Sequence, residues 1–120
     1  MKILGISGCL RTGSYNTALL EIPRQLAPAG TEMTVADLSD ITAYNEDVYK
    51  QGFPPSVAAF RGRITAADCL LIATPEYNYG MPGVLNNAID WASRPPDQPF
   101  DDKPMALLGA SVGKLGTALA

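Results

Sequence analysis

The sequence predicts an α/β fold, a parallel sheet with helices packed on its faces. Three observations predict it. Four short apolar runs stand out, at residues 2–7, 33–38, 69–74 and 105–110. Their starts are separated by 31, 36 and 36 residues. The stretches between them place apolar residues at helical spacing. This is the rhythm of βαβ units, in which a crossover helix joins parallel strands.

The elements follow in order. Residues 2–7, 69–74 and 105–110 are nearly continuous apolar runs, as expected of strands buried on both faces. The run 33–38 alternates more, with Met33, Val35 and Leu38 against Thr34 and Asp37, which places it nearer an edge. The first helix is expected to begin near Ser14 or Tyr15, with Ser14 as N-cap and an apolar stripe of Ala18, Leu19, Ile22 and Leu26. Pro23 lies inside that stripe and predicts a kink or break near Ile22, because its ring lacks an N–H and clashes with the preceding turn. The second helix opens at Pro55, a residue suited to a first turn, with Val57, Phe60 and Ile64 on one face. The third covers about 82–93, with Val84, Leu85, Ala88, Ile89 and Ala92 toward the core. Residues 39–54 and the Pro-rich stretch around 97–103 read as long connections.

Length and composition bound the function. The 120 residues suit one small domain spanning 1–120. Hydrophobic residues make up 47% and charged residues 18%, an ordinary globular balance that argues against disorder. A net charge of -3 gives no overall attraction to nucleic acid or to an anionic membrane. No apolar run approaches the roughly 18 residues of a membrane span, and no targeting segment is visible. There is no histidine, which removes every triad and metal site that needs one. Cys9 and Cys69 form no C-x-x-C and no disulfide framework, so the expected location is a reducing cytoplasm.

In an open parallel sheet, ligands sit beyond the carboxyl ends of the strands, where the strand order switches. Three loops are therefore candidates. The first, residues 7–17, is rich in glycine and hydroxyls, carries Arg11 and opens onto a helix. Free N–H groups at a helix start suit a phosphate, with Ser14, Thr12 and Thr17 as hydroxyl donors and Arg11 as a charged fork. A helix cap beside a solvated arginine is the alternative. Named phosphate motifs fail here. The glycines fall at 5, 8 and 13, so G-x-G-x-x-G is absent, and Ser14 stands where a P-loop needs lysine. A tyrosine-phosphatase loop needs Arg at 15, which is Tyr, so Cys9 reads as a small residue lining a tight loop rather than a nucleophile. The second loop, 75–83, offers Glu76, Tyr77, Asn78, Tyr79 and glycines, a set suited to a flat heteroaromatic ring or to a plain strand-to-helix turn. The third, 111–116, is built of small residues, with Lys114 read as solvated. A phosphate cradle beside a ring-binding loop implies a mononucleotide with a large ring, such as FMN. Flavin carries its own redox chemistry, which also accommodates the absence of histidine.

At these residues the sequence resembles the NADPH-dependent FMN reductase family of flavodoxin-like proteins, in its quinone, chromate and azo-compound reductase branch. The resemblance rests on Gly8-Cys9-Leu10-Arg11-x-x-Ser14-x-Asn16. It rests more strongly on the long stretch from Pro75-Glu76-Tyr77-Asn78-Tyr79-Gly80 through Asn86-Asn87-Ala88-Ile89-Asp90-Trp91. The region of Tyr44-Asn45-Glu46-Asp47 and that of Gly109, Ala110, Ser111, Gly113 and Gly116 are also similar. The resemblance implies a flavodoxin-like three-layer fold with strand order 2-1-3-4. It implies that Cys9, Arg11, Ser14 and Asn16 surround the FMN phosphate. Pro75, Glu76, Tyr77 and Asn78 would border the isoalloxazine ring, and Ser111 and Gly113 would line its other side. It further implies hydride taken from NAD(P)H and electrons passed to a small acceptor: a quinone, a metal oxyanion such as chromate, an azo compound or free flavin. A homodimer or homotetramer is implied as well, with the Tyr44–Asp47 loop and the helix through Trp91 as candidate interface.

The chain departs from the family pattern in places. Cys9 stands where serine is usual, Asn86 where lysine is common, and Pro23 interrupts the first helix. The family has a fifth strand and two further helices, so the expectation is a fold lacking its C-terminal part, with the fourth strand left as an edge. Two other readings stand beside the reductase: a non-enzymatic FMN electron carrier, and an inactive fragment or assembly subunit that folds only with a partner.

Overall fold

A computed structural model describes residues 1–120. Its four strands are β1 (Lys2–Ser7), β2 (Glu32–Ala36), β3 (Cys69–Ala73) and β4 (Met105–Leu108). All pair in parallel, in the order β2-β1-β3-β4. The helices are α1 (Tyr15–Leu19), α2 (Glu21–Leu26), α3 (Glu46–Tyr49), α4 (Pro55–Ala66) and α5 (Gly83–Ala92). The expected α/β class, strand order and central position of β1 and β3 are all present.

The pleat divides the sheet into two faces. Leu4 and Ile6 of β1 and Leu70 and Ile72 of β3 point to one face, where they join Phe60 and Ile64 of α4 and Leu85, Ala88 and Ala92 of α5. This cluster is the core. Gly5 points to the other face. A Cβ there would stand 3.4 Å from Leu20 Cδ1, so the bare glycine lets the α1–α2 junction settle on the sheet. Helices on both faces make three layers.

The break expected near Ile22 is present, at Leu20, and two other expectations need correction. A proline denies the hydrogen bond to the carbonyl four residues back and clashes with it. For Pro23 that carbonyl belongs to Leu19, the last residue of α1. The first concerns the buried face, which the break changes. Leu20 is fully buried, whereas Ala18, Ile22 and Leu26 are exposed. The second concerns the burial of β4: it is the edge strand expected, paired only with β3, but Met105, Ala106 and Leu107 are exposed where the apolar run suggested cover on both faces. Trp91 joins the buried residues of α5: its indole is fully buried within the chain, packs edge-to-face on Tyr44 at 4.9 Å and donates to Thr42 O.

The connection at 39–54 is anchored by α5. Asn87 Oδ1 accepts from Tyr44 N–H at 2.7 Å, and its Nδ2 donates to Thr42 O. Buried Arg61 of α4 braces the stretch after α5. Its guanidinium donates to the carbonyls of Ala92, Arg94 and Asp97 and lies 4.2 Å from the Phe53 ring centroid.

Candidate functional site

The loops after β1, β3 and β4 meet at the carboxyl edge of the sheet, over the point where the chain order switches between β1 and β3. Between them is a cleft of about 470 Å3. That volume falls in the usual range of small-molecule sites, about 300–1,000 Å3.

The loop after β1 is shaped from within. Gly8 N–H donates to Ala73 O at 2.8 Å, pressing the loop against the end of β3. No side chain fits at Gly8, since a Cβ there would lie 2.9 Å from Thr74 Cβ, and Thr74 is fully buried. Ser7 Oγ and Thr17 Oγ1 are 2.7 Å apart and both reach Cys9 O, so these hydroxyls staple the loop to α1. Thr17 is thus occupied structurally rather than directed at a ligand. Ser14 caps α1 as expected, accepting from Thr17 N–H at 3.3 Å, and its own hydroxyl proton remains to be donated. Arg11 is exposed, makes no ion pair within the chain and lies 5.8 Å from the Tyr15 ring centroid.

The Cys9 thiol reports the local field. The Ser14 hydroxyl, above all, holds its pKa below the ordinary thiol value. Partial burial opposes this, while the Arg11 backbone N–H, the Tyr77 hydroxyl and the Arg11 charge reinforce it. This spot therefore favours negative charge. Tyr77 responds in the opposite sense. The negative charge on Cys9 raises the phenol pKa, so Tyr77 Oη keeps its proton at neutral pH.

The loop after β3 turns sharply at its tip. Tyr77 and Gly80 exchange both backbone hydrogen bonds, at 3.0 and 3.1 Å. Between them Asn78 and Tyr79 have φ of 53° and 62°. Two positive φ values in a two-residue turn are the type I′ pattern, for which asparagine is well suited and tyrosine is not. The turn leaves Pro75, Glu76 and Tyr77 on the cleft wall and carries Asn78 out to an exposed tip.

The third wall is Ala110, Ser111 and Val112. It is fastened to α1 by Asn16, whose Oδ1 accepts from Ala110 N–H at 2.8 Å and whose Nδ2 donates to Ala110 O at 3.3 Å. The chain beyond this wall returns to the second loop, where Glu76 Oε2 accepts from Leu119 N–H at 2.9 Å.

The structure thus brings Cys9, Arg11, Ser14, Asn16, Pro75, Glu76, Tyr77 and Ser111 to one cleft. Asn78 and Gly113 do not line it. Gly113 N–H instead donates to Ser111 Oγ, which shapes the turn beyond the wall. Sequence reasoning did not single out Tyr15 or Ala110 as wall residues. Tyr15 follows the cap directly, a position that presents a side chain to the mouth of the loop. Ala110 stands in the Gly109–Gly116 stretch that carries the resemblance, but its small apolar side chain gave no sign of a wall contact. An open groove of about 500 Å3 on the α1–α2 face, lined by Ile3, Ile22, Leu71 and Leu108 among others, is slightly larger. It offers almost no polar surface, so the chemistry belongs to the cleft.

Comparison with known proteins identifies the family. The sequence pattern of the NADPH-dependent FMN reductases matches residues 1–120. An NAD(P)H-dependent FMN reductase of Pseudomonas aeruginosa is 63% identical over all of this chain and 65% of its own length. A 2-hydroxy-1,4-benzoquinone reductase of a Burkholderia species is 46% identical, over all of this chain and 66% of its own. Among solved structures, the flavoenzyme NAD(P)H:(acceptor) oxidoreductase FerB of Paracoccus denitrificans superposes with a TM-score of 0.89 at 38% identity, covering 99% of this chain and 65% of FerB. The chain spans about two thirds of the length of these relatives. On sequence and fold together, it is a member of the NADPH-dependent FMN reductase family, with the flavodoxin-like architecture of that family.

Proposed function

We propose that this chain forms the flavin-binding part of an NAD(P)H oxidoreductase that passes electrons to a quinone. The observation that carries the reading is the convergence of three loops at the β1/β3 switch point, around a spot beside Cys9, Ser14 and the Tyr77 hydroxyl that favours negative charge. The donor set fits FMN. Arg11, the Ser14 hydroxyl and the Cys9 thiol would hold the phosphate, and Pro75, Glu76, Tyr77 and Ser111 would border the ring. Bound there, FMN supplies hydride acceptance and electron transfer. The chain's own residues bind and orient. Arg11 balances the phosphate charge, and Tyr77 Oη, which lies beside the Cys9 thiol, can donate a hydrogen bond to the bound group there. The quinone acceptor is supported by the benzoquinone reductase among the relatives. Chromate, azo compounds and free flavin are further acceptors of the same reading. So are assembly as a homodimer or homotetramer and residence in the cytoplasm, where free Cys9 and Cys69 are at home.

The test is direct. Titration into the apoprotein should quench FMN fluorescence, and the complex should oxidise NADH or NADPH faster when benzoquinone is present. FMN binding without nicotinamide oxidation would leave an electron carrier, and no FMN binding would remove the reading altogether. Light scattering on the purified protein tests the oligomer.

A further inference from the structure

Asn16 holds both backbone polar groups of one residue, Ala110. Its Oδ1 accepts from Ala110 N–H and its Nδ2 donates to Ala110 O, across 94 positions of sequence. The orientation of the side-chain amide follows from the partner, because the flipped amide sets donor against donor and acceptor against acceptor. Asn16 is only 6% exposed, so its polar atoms have little access to water or to a ligand. The clasp also crosses a gap in the sheet. α1 follows β1, Ala110 follows β4, and β3 lies between those strands. It therefore joins two walls of the cleft over the end of the strand that separates them. No other side chain of residues 7–17 hydrogen-bonds the 110–112 wall.

The geometry points to Asn16 as a positioning residue for the flavin rather than a phosphate ligand. It acts through Ala110, setting the spacing between the loop after β1 and the wall that faces the ring. The phosphate is left to Arg11, Ser14 and Cys9. This inference rests on the flavin reading of the cleft.

Riboflavin, which has the ring and lacks the phosphate, separates the two roles. FMN and riboflavin dissociation constants are measured by fluorescence quenching for the wild-type protein and Asn16→Ala. A positioning residue should weaken both flavins by about the same factor, roughly tenfold for a lost buried hydrogen-bonded clasp. The ratio of the two constants then stays at its wild-type value. Amide exchange at Ala110 in the flavin-free protein should also speed up by about tenfold. Loss of FMN affinity with riboflavin affinity unchanged would make Asn16 a phosphate ligand and overturn the proposal, as would no change for either flavin. If Asn16→Ala does not fold, Asn16→Ser, too short to span the clasp, is held to the same ratio. A wild-type protein that binds neither flavin would instead refute the flavin reading itself.

Discussion

Cys9 is the residue at which local electrostatics can be read most directly. Its thiolate is favoured chiefly by the Ser14 hydroxyl, with smaller help from Arg11 and Tyr77. In a Cys69→Ser background, the rate of Cys9 alkylation by iodoacetamide should rise with pH about a midpoint below the ordinary thiol value of 9.0. Ser14→Ala should move that midpoint upward, and an unchanged midpoint would break the assignment. The sign of the stability linkage follows. Between the lowered pKa and the unfolded one, the native state binds fewer protons at Cys9, so its contribution to stability grows as pH rises through that window. The contribution is complete above the unfolded value and lost as pH falls through the folded one. A second residue-scale prediction concerns Gly8. Its missing Cβ is required by Thr74 at 2.9 Å and Leu85 at 3.3 Å. Gly8→Ala should lower stability by roughly 1–3 kcal/mol, the usual range for overpacking, read as a lower urea midpoint. These two residues also show what was legible. The loop's composition suited either an anion site or a helix cap, and Cys9, Arg11 and Ser14 do line one cleft. The engagement of Thr17 with Ser7 was hidden, because a hydroxyl's partner depends on the folded loop path rather than on spacing.

At the scale of elements, the turn after β3 stores strain. Tyr79 sits in the left-handed region with its side chain 77% exposed, so little packing offsets the backbone cost. That cost is about 1–2 kcal/mol for a residue bearing a Cβ. Glycine removes it but adds unfolded-state entropy of roughly 0.5–1 kcal/mol. Tyr79→Gly should therefore stabilise the chain by up to about 1 kcal/mol in urea denaturation, and destabilisation would show that the ring makes contacts that matter. Element identity was readable where periodicity was strong. α4 and α5 lie where Val57, Phe60 and Ile64, and Leu85, Ala88 and Ala92, place them. Two features were not readable. Arg61 falls on the buried face of α4 because three carbonyls beyond α5 accept from it, and those acceptors are more than thirty residues away. Trp91 was not among the residues placed toward the core, because its partner, Tyr44, belongs to a connection without periodicity.

For the whole molecule, surface area and shape make one argument. The accessible surface is 7169 Å2, against about 6,200 Å2 expected for a monomeric protein of 12.7 kDa. The radius of gyration is 14.4 Å, against roughly 13.6 Å for a compact chain of this length. The excess has a location. On the α1–α2 face, Leu71 of β3 and Leu108 of β4 open into the groove that Ile22 and Leu26 rim, with Ile22 53% and Leu26 78% exposed. The core lies on the opposite face, under α4 and α5, and the cleft proposed for flavin lies at the carboxyl edge. An apolar groove of this kind should bind the dye ANS in the folded state and promote association at high concentration. The double variant Ile22→Lys and Leu26→Lys should abolish most ANS fluorescence and reduce association measured by light scattering. Far-UV circular dichroism and FMN affinity should stay at wild-type values, because neither side chain touches the core or the cleft. If FMN affinity fell with ANS binding, the groove and the cleft would be mechanically coupled through β4, whose edge both share. If ANS binding persisted, the dye would be reporting the cleft rather than the open face.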